Sequence, residues 1–206
     1  MGAFIRLASA ADAARVAAIY APAVTEGAAS FETDAPDARE MARRIAHVTE
    51  RTPWLCCEAE GRTIGYAYAS PHRDRAAYQW SVEVSAYVAP EAQRRGVARA
   101  LYTSLFALLA LQEFRTAYAG IVLPNEASVR LHQAMGFSPV GVYRGVGYKL
   151  GAWRDVAWYE RALRERGPEP AAPRPLPGLV DLPAFAAALS AGSAILRHAA
   201  PEGARA

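Results

Sequence analysis

The sequence has two cysteines, Cys56 and Cys57, and four histidines, and together they show no metal-ligand spacing, so no metal site is expected. The cysteines are adjacent in a strand-like run, where neighbouring side chains point to opposite faces and do not pair. Both read as reduced thiols, as in a cytosolic protein. No apolar run is long enough to span a bilayer, and residues 1–15 lack the charged-then-apolar layout of a secretory leader. A cytoplasmic location away from membranes is therefore expected. Excess charge of one sign is also missing: the net charge is +3, and the arginines are scattered instead of gathered into a nucleic-acid-binding run. An anionic small molecule suits this balance as well as DNA does. With 52% hydrophobic and 21% charged residues, wholesale disorder is excluded, and 206 residues allow one domain with an appendage.

What is present reads as alternating elements. Phe4 to Leu7 is a short strand, and Ser9 or Asp12 can cap an Ala-rich helix ending before Gly27. After a loop to Pro36, Asp37 can cap a second helix to about Glu50, with Met41, Ile45 and Val48 at helical spacing. Trp54 to Glu60 and Thr63 to Ser70 are strands joined at Glu60-Gly61-Arg62, followed by a loop from Pro71 to Arg75. From Ala77 to Val88 apolar and polar residues alternate, which predicts one long two-faced strand. An apolar helix follows from about Val97 to Leu111, then a strand from Thr116 to Val122 and a helix from Asn125 to Met135. Two final strands, Val140 to Val146 and Ala152 to Tyr159, complete an α/β fold with a mixed, mostly antiparallel central sheet flanked by helices.

Residues 1–166 are read as this domain. Residues 167–180 form a proline-rich linker or strap, since proline bars both helix and central strand. Residues 181–206 are read as an amphipathic helix, Asp181 to Arg197, plus a tail, with no chemistry-bearing pattern. No internal repeat is present.

The strongest chemical signal is QRRGVA, Gln93 to Ala98, between a strand and a helix. Gly96 lets the backbone approach a ligand, and the free N–H groups from Arg95 through Val97 and Ala98 to Arg99 lie at the positive end of the helix, a setting for phosphates. Arg94, Arg95 and Arg99 add charge. The run is neither a Walker loop nor a dinucleotide fingerprint, and by itself it could equally be a simple helix entry.

Downstream stand Asn125-x-x-Ser128-x-x-Leu131-His132 and Gly136-Phe137. Together with QRRGVA this pattern resembles the GNAT superfamily of acyl-CoA-dependent N-acyltransferases. PWL at Pro53, AYASPHRDRAAYQW at Ala67, EVSAYV at Glu83, LPNEASVRLH at Leu123 and GAWRDVAWY at Gly151 narrow the resemblance to phosphinothricin and methionine sulfone or sulfoximine acetyltransferases, over roughly Phe4 to Leu163. It implies a GNAT fold, acetyl-CoA as co-substrate, a homodimer, and direct attack by a small amino acid analogue without an acyl-enzyme.

The resemblance assigns Glu83 as general base for the attacking ammonium; the alternation alone would equally make it a solvent-facing glutamate. It places His132 where many relatives have a tyrosine that protonates the leaving thiolate, a change that leaves the acid open. Ala86, Tyr87 and Val88 are expected to offer backbone groups to the pantetheine arm, with Asn125 and the His132 position near the pantetheine and the thioester and Ser128 among the cofactor-binding residues. Arg73 and Arg75 are expected to fork onto a substrate anion, with Phe31 and Tyr78 lining the amine pocket. Two rivals stay open: a protein or ribosomal N-terminal acetyltransferase on the same fold, and a non-catalytic acyl-CoA-binding regulator.

Overall fold

In a computed structural model, residues 2–197 are described; Met1 and the tail residues 198–206, with His198, lie outside the described residues. Seven strands form one sheet in the order β1-β2-β3-β4-β5-β7-β6. The strands are β1 (Phe4–Leu7), β2 (Trp54–Ala59), β3 (Arg62–Pro71), β4 (Ser81–Val88), β5 (Thr116–Val122), β6 (Ser138–Lys149) and β7 (Ala152–Ala162). Every neighbouring pair is antiparallel except β4 and β5, which the crossover helix α3 (Val97–Leu111) makes parallel.

Strand parity decides which helices cover which face. Tyr66 and Tyr68 of β3 face α1 (Ala13–Thr25) and α2 (Ala38–Thr49), where Tyr20 meets Tyr87 edge-on and Trp54 stacks on Tyr68 at 4.3 Å. On the opposite face lies α3: a Cβ at Gly65 would come within 2.9 Å of the Val97 side chain. In β4, Glu83, Ser85 and Tyr87 pair with Ser70, Tyr68 and Tyr66 and so share the tyrosine face. The buried Val82 and Val84 belong to the α3 side. Neighbouring Cys56 and Cys57 are both free and buried, and burial pushes each thiol up to about 12.

The strand expected from Ala77 begins only at Ser81. Ala76–Tyr78 is a 3-10 turn, in which the Tyr78 and Gln79 N–H groups bond the Arg75 and Ala76 carbonyls instead of a ladder partner. Alternation cannot separate this turn from a strand. The last two strands run further than their apolar stretches indicate, because β6 is an exposed edge whose pairing with β7 carries it to Lys149.

The proline-rich segment packs back onto the domain. Fully buried Gln112 donates to the Arg51 and Arg174 carbonyls, both at 2.7 Å, and Leu176 N–H bonds the Arg51 carbonyl at 3.0 Å. Leu176 and Leu179 join the core. The tail forms two helices instead of one, α5 (Pro183–Ser190) and α6 (Ser193–Arg197), separated at Gly192 and packed on α3 and β1.

Candidate active site

The ladder between β4 and β5 pairs only Ser81 to Glu83 with Thr116 to Tyr118, after which β5 continues with β7 alone. The diverging strands open a cleft of about 570 Å³. Val84 to Val88 line one side and Ala119 to Val122 the other, so backbone groups of β4 beyond Glu83 face the gap without a ladder partner there. Ala86, Tyr87 and Val88 therefore stand on the cleft wall.

At one end of the cleft α3 begins. Gly96 caps it in the left-handed conformation, with φ 77°, and Arg94 has φ 59°. Arg94, Gly96, Val97, Ala98 and Arg99 line the cleft, whereas Arg95 is exposed and does not. The first N–H groups of α3 have no intrahelical acceptor, which gives this end of an otherwise apolar cleft a positive partial charge.

The other wall comes from α4 (Glu126–Ala134), where the Asn125 side chain accepts the Ser128 N–H at 3.1 Å. Asn125, Ser128 and His132 line the same cleft. His132 is buried, and its Nδ1 donates to the Ser128 carbonyl at 2.8 Å. Its Nε2 therefore accepts from the Tyr102 hydroxyl at 3.1 Å. Burial pulls His132 below the ordinary histidine value, against an opposing pull from the Ser128 carbonyl. Both ring nitrogens are thus engaged by protein groups, Nδ1 by the Ser128 carbonyl and Nε2 by the Tyr102 hydroxyl.

Glu83 lies on the tyrosine face just below the split. Its Oε1 accepts from His72 Nδ1 at 3.0 Å and from an Arg73 guanidinium nitrogen at 3.1 Å. The Arg73 guanidinium also lies 5.7 Å from the Trp158 ring centre. Tyr78 stands edge-on to His72 at 5.9 Å. Arg73, Arg75 and Tyr78 line a second cleft of about 340 Å³ with Thr52 and Phe114. Arg75 makes no hydrogen bond to Glu83 among the described residues, so the two arginines share this cleft while only Arg73 reaches the carboxylate. Phe31 lies apart from that group, against the Gly147 backbone of β6.

Three residues near the site had no role assigned from the sequence, the first of them inside the AYASPHRDRAAYQW run. His72 continues the even-numbered face of β3, Tyr66, Tyr68 and Ser70, onto which Glu83 folds. That register would have exposed it. Tyr102 sits in an apolar helix run and reads as core. Lys149, the chain's one lysine, is buried and donates to the Ser30 carbonyl at 2.5 Å and the Glu32 carbonyl at 2.8 Å, bracketing Phe31. Among the described residues no group of three or more His, Cys, Asp or Glu is placed to hold a metal ion, and no helix is long and apolar enough to cross a membrane.

Comparison with known proteins agrees with this geometry. The profile of an acetyltransferase (GNAT) domain matches residues 5–158. Over 172 residues the chain is 40% identical to the phosphinothricin N-acetyltransferase of Streptomyces viridochromogenes, covering 84% of this chain and 92% of that protein. Among solved structures it is similar to a GNAT superfamily phosphinothricin acetyltransferase from Sinorhizobium meliloti in complex with AcCoA, at a TM-score of 0.79 and 37% identity, covering 83% of this chain and 94% of the other. A ribosomal-protein-alanine N-acetyltransferase from Brucella melitensis follows at 0.75 and 31%, covering 77% and 98%.

Proposed function

The chain belongs to the GNAT acetyltransferase family, and from that premise we propose that it acetylates the α-amino group of a small amino acid analogue of the phosphinothricin or methionine sulfone type. Acetyl-CoA supplies the activated acetyl group. The observation that carries the reading is the juxtaposition of the β4–β5 split with Glu83 at its lower end.

The cleft suits a long thioester carrying phosphates: apolar walls flank unpaired strand groups, and the α3 N-terminus marks the anionic end. Gly96, Val97, Ala98 and Arg99 would hold the pyrophosphate with Arg94, while Ala86, Tyr87 and Val88 would bond the pantetheine. Asn125 and Ser128 shape the wall beside it. A backbone N–H of β4 would stabilise charge developing on the acetyl oxygen.

Glu83 takes the ammonium proton, which frees the nitrogen pair for the acetyl carbon. The carbon–sulfur bond then breaks and sulfur leaves with its electrons. Because both nitrogens of His132 are engaged by Tyr102 and Ser128, we assign it to fixing the cleft wall, with the departing thiolate protonated through water that takes up the second proton of the newly acylated nitrogen. The buried, weakly acidic Cys56 and Cys57 support direct transfer without an acyl-enzyme. Arg73 turns to the substrate anion, with Tyr78 as an apolar wall. We further propose a cytoplasmic homodimer joined through the exposed apolar residues of β6 and β7, among them Tyr143, Val146, Tyr148 and Trp153.

The likeness to a ribosomal-protein-alanine N-acetyltransferase favours a second reading, acetylation of a protein N-terminus. A thiol-release assay decides between them by comparing phosphinothricin, methionine sulfone and a peptide with N-terminal alanine. Phosphinothricin or methionine sulfone is expected to show the highest kcat/KM, and Glu83→Gln to lower kcat by about 10²–10⁴-fold at neutral pH. Preference for the peptide would overturn the substrate class, and near-wild-type turnover in the variant would remove Glu83 as base.

A further inference from the structure

Two donors converge on one oxygen of the Glu83 carboxylate. His72 Nδ1 and the Arg73 guanidinium both reach Oε1, at 3.0 and 3.1 Å, while among the described residues Oε2 accepts no hydrogen bond. An ionised carboxylate only accepts, so the His72 nitrogen facing it carries the hydrogen. The two donors differ in how firmly they are held. The His72 side chain is 13% exposed and Arg73 is 45% exposed.

The His72 ring is also fixed in plane. It stacks on Tyr118 of β5 at 4.3 Å and 18°, and meets Trp158 of β7 edge-on at 5.9 Å, as it does Tyr78. Its backbone N–H continues the β3–β4 pairing by bonding the Ser81 carbonyl at 3.4 Å. Ring and backbone are thus both anchored to the sheet that carries Glu83. Arg73 is held by a 2.8 Å bond from the same guanidinium nitrogen to the His72 carbonyl and by the Trp158 face, and its side chain stays largely in solvent.

We infer that His72 is a positioning residue for Glu83: its Nδ1–H pins Oε1 and leaves Oε2 as the oxygen that receives the amine proton. This rests on the reading of Glu83 as base. It also resolves a conflict in the arginine assignment, since Arg73 cannot pair with a substrate anion and hold Glu83 with the same nitrogen. When Arg73 turns to the substrate, His72 keeps the carboxylate oriented. A free carboxylate would rotate about its side-chain bonds and spend less time aimed at the amine.

The test separates the hydrogen bond from the ring. His72→Phe keeps an aromatic ring on Tyr118 but removes the donor, whereas His72→Asn removes the ring and keeps an N–H near the Nδ1 position. Steady-state kinetics are expected to show kcat about tenfold or more lower in His72→Phe, with KM for acetyl-CoA unchanged, and most of the loss restored in His72→Asn. In a Glu83→Gln background, His72→Phe should cost little more. An unchanged kcat in His72→Phe, an equal loss in His72→Asn, or full additivity with Glu83→Gln would each overturn the positioning role. Failure of the underlying reading shows separately, as near-wild-type turnover in Glu83→Gln alone.

Discussion

The two halves of the site are built from different materials. The cofactor cleft is made largely of backbone: a split between parallel strands, a left-handed glycine and the first turn of α3. The amine side is made of side chains from separate elements, with His72 and Arg73 after β3, Glu83 on β4, Tyr118 on β5 and Trp158 on β7. Backbone donors come in sets, so losing one arginine leaves the rest in place. Side chains that meet at one carboxylate act as a unit, and single changes propagate.

The largest expected effect strikes the backbone half where it has no redundancy. At Gly96, φ 77° disfavours any side chain, and glutamate would set a negative charge at the phosphate end. Gly96→Glu is expected to weaken acetyl-CoA binding about a hundredfold or more, through strain together with lost charged hydrogen bonds. Arg95→Ala, outside the cleft, should change it less than about threefold, as typical of an exposed charge. Calorimetry checks both. Comparable losses in the two variants would mean that side-chain charge, and not backbone, holds the phosphates.

On the amine side the contrast falls between two arginines that look alike in the sequence. Both line the second cleft, but Arg73 also reaches Glu83 and Trp158, whereas Arg75 makes no hydrogen bond to Glu83 among the described residues. Arg73→Gln is expected to raise KM for phosphinothricin about tenfold or more, one charged hydrogen bond's worth, while Arg75→Gln raises it less than about threefold. Acetyl-CoA should bind equally in both. Equal effects would restore the paired clamp.

These differences explain how much was legible. QRRGVA and the Asn125 cap are contiguous, and their chemistry depends on local turn geometry that a sequence displays. The element order also followed from periodicity, down to the limits of α3 and β5. His72 was hidden because its role depends on the register in which Ser70 pairs with Glu83, a long-range fact. Tyr102 was hidden for a related reason: an aromatic residue in an apolar helix reads as core until α4 brings His132 to it. The tail broke into two helices because Gly192 meets the backbone of α3, which no helical periodicity announces.

His132 lines the first cleft, and its variant measures whether it serves as wall or as acid. General acid catalysis is typically worth about 10²–10⁴-fold, so a wall-fixing role predicts that His132→Asn lowers kcat by less than about tenfold. A second readout follows from its depressed pKa. As pH falls below about 6.5 the unfolded chain takes up a proton that the buried ring resists, so this group contributes a loss of stability on acidification. Thermal melts at mildly acidic and neutral pH should therefore show a larger acid-induced fall in Tm for wild type than for His132→Asn. A kcat loss in the range of full acid catalysis would return the leaving-group proton to His132.

The smallest expected effect tests whether the backbone half extends beyond the QRRGVA run into the tail. A Cβ on Gly192 would lie 1.9 Å from the Ala100 carbonyl oxygen, one turn into α3, so Gly192→Ala must push the tail off that turn. Ser104 ties the same junction, accepting from Gly192 N–H at 2.9 Å and donating to the Leu189 carbonyl at 2.7 Å. Beyond it, the Ile195 side chain comes 3.8 Å from where a Gly96 side chain would begin. The tail thus leans on the turn whose N–H groups we propose to hold the phosphates. Overpacking of this kind costs about 1–3 kcal/mol of stability, and most of it should appear as a lower Tm. The remainder should appear as a rise of about two- to fivefold in KM for acetyl-CoA at unchanged kcat, since the first turn of α3 binds but takes no part in the transfer. A truncated thioester lacking the nucleotide and pyrophosphate is the control, and its KM should be the same in wild type and variant. If both thioesters lose equally, the tail supports the whole fold and not the phosphate end. If neither changes while Tm falls, the tail is a stabilising strap, and the backbone half of the site ends at Gly96.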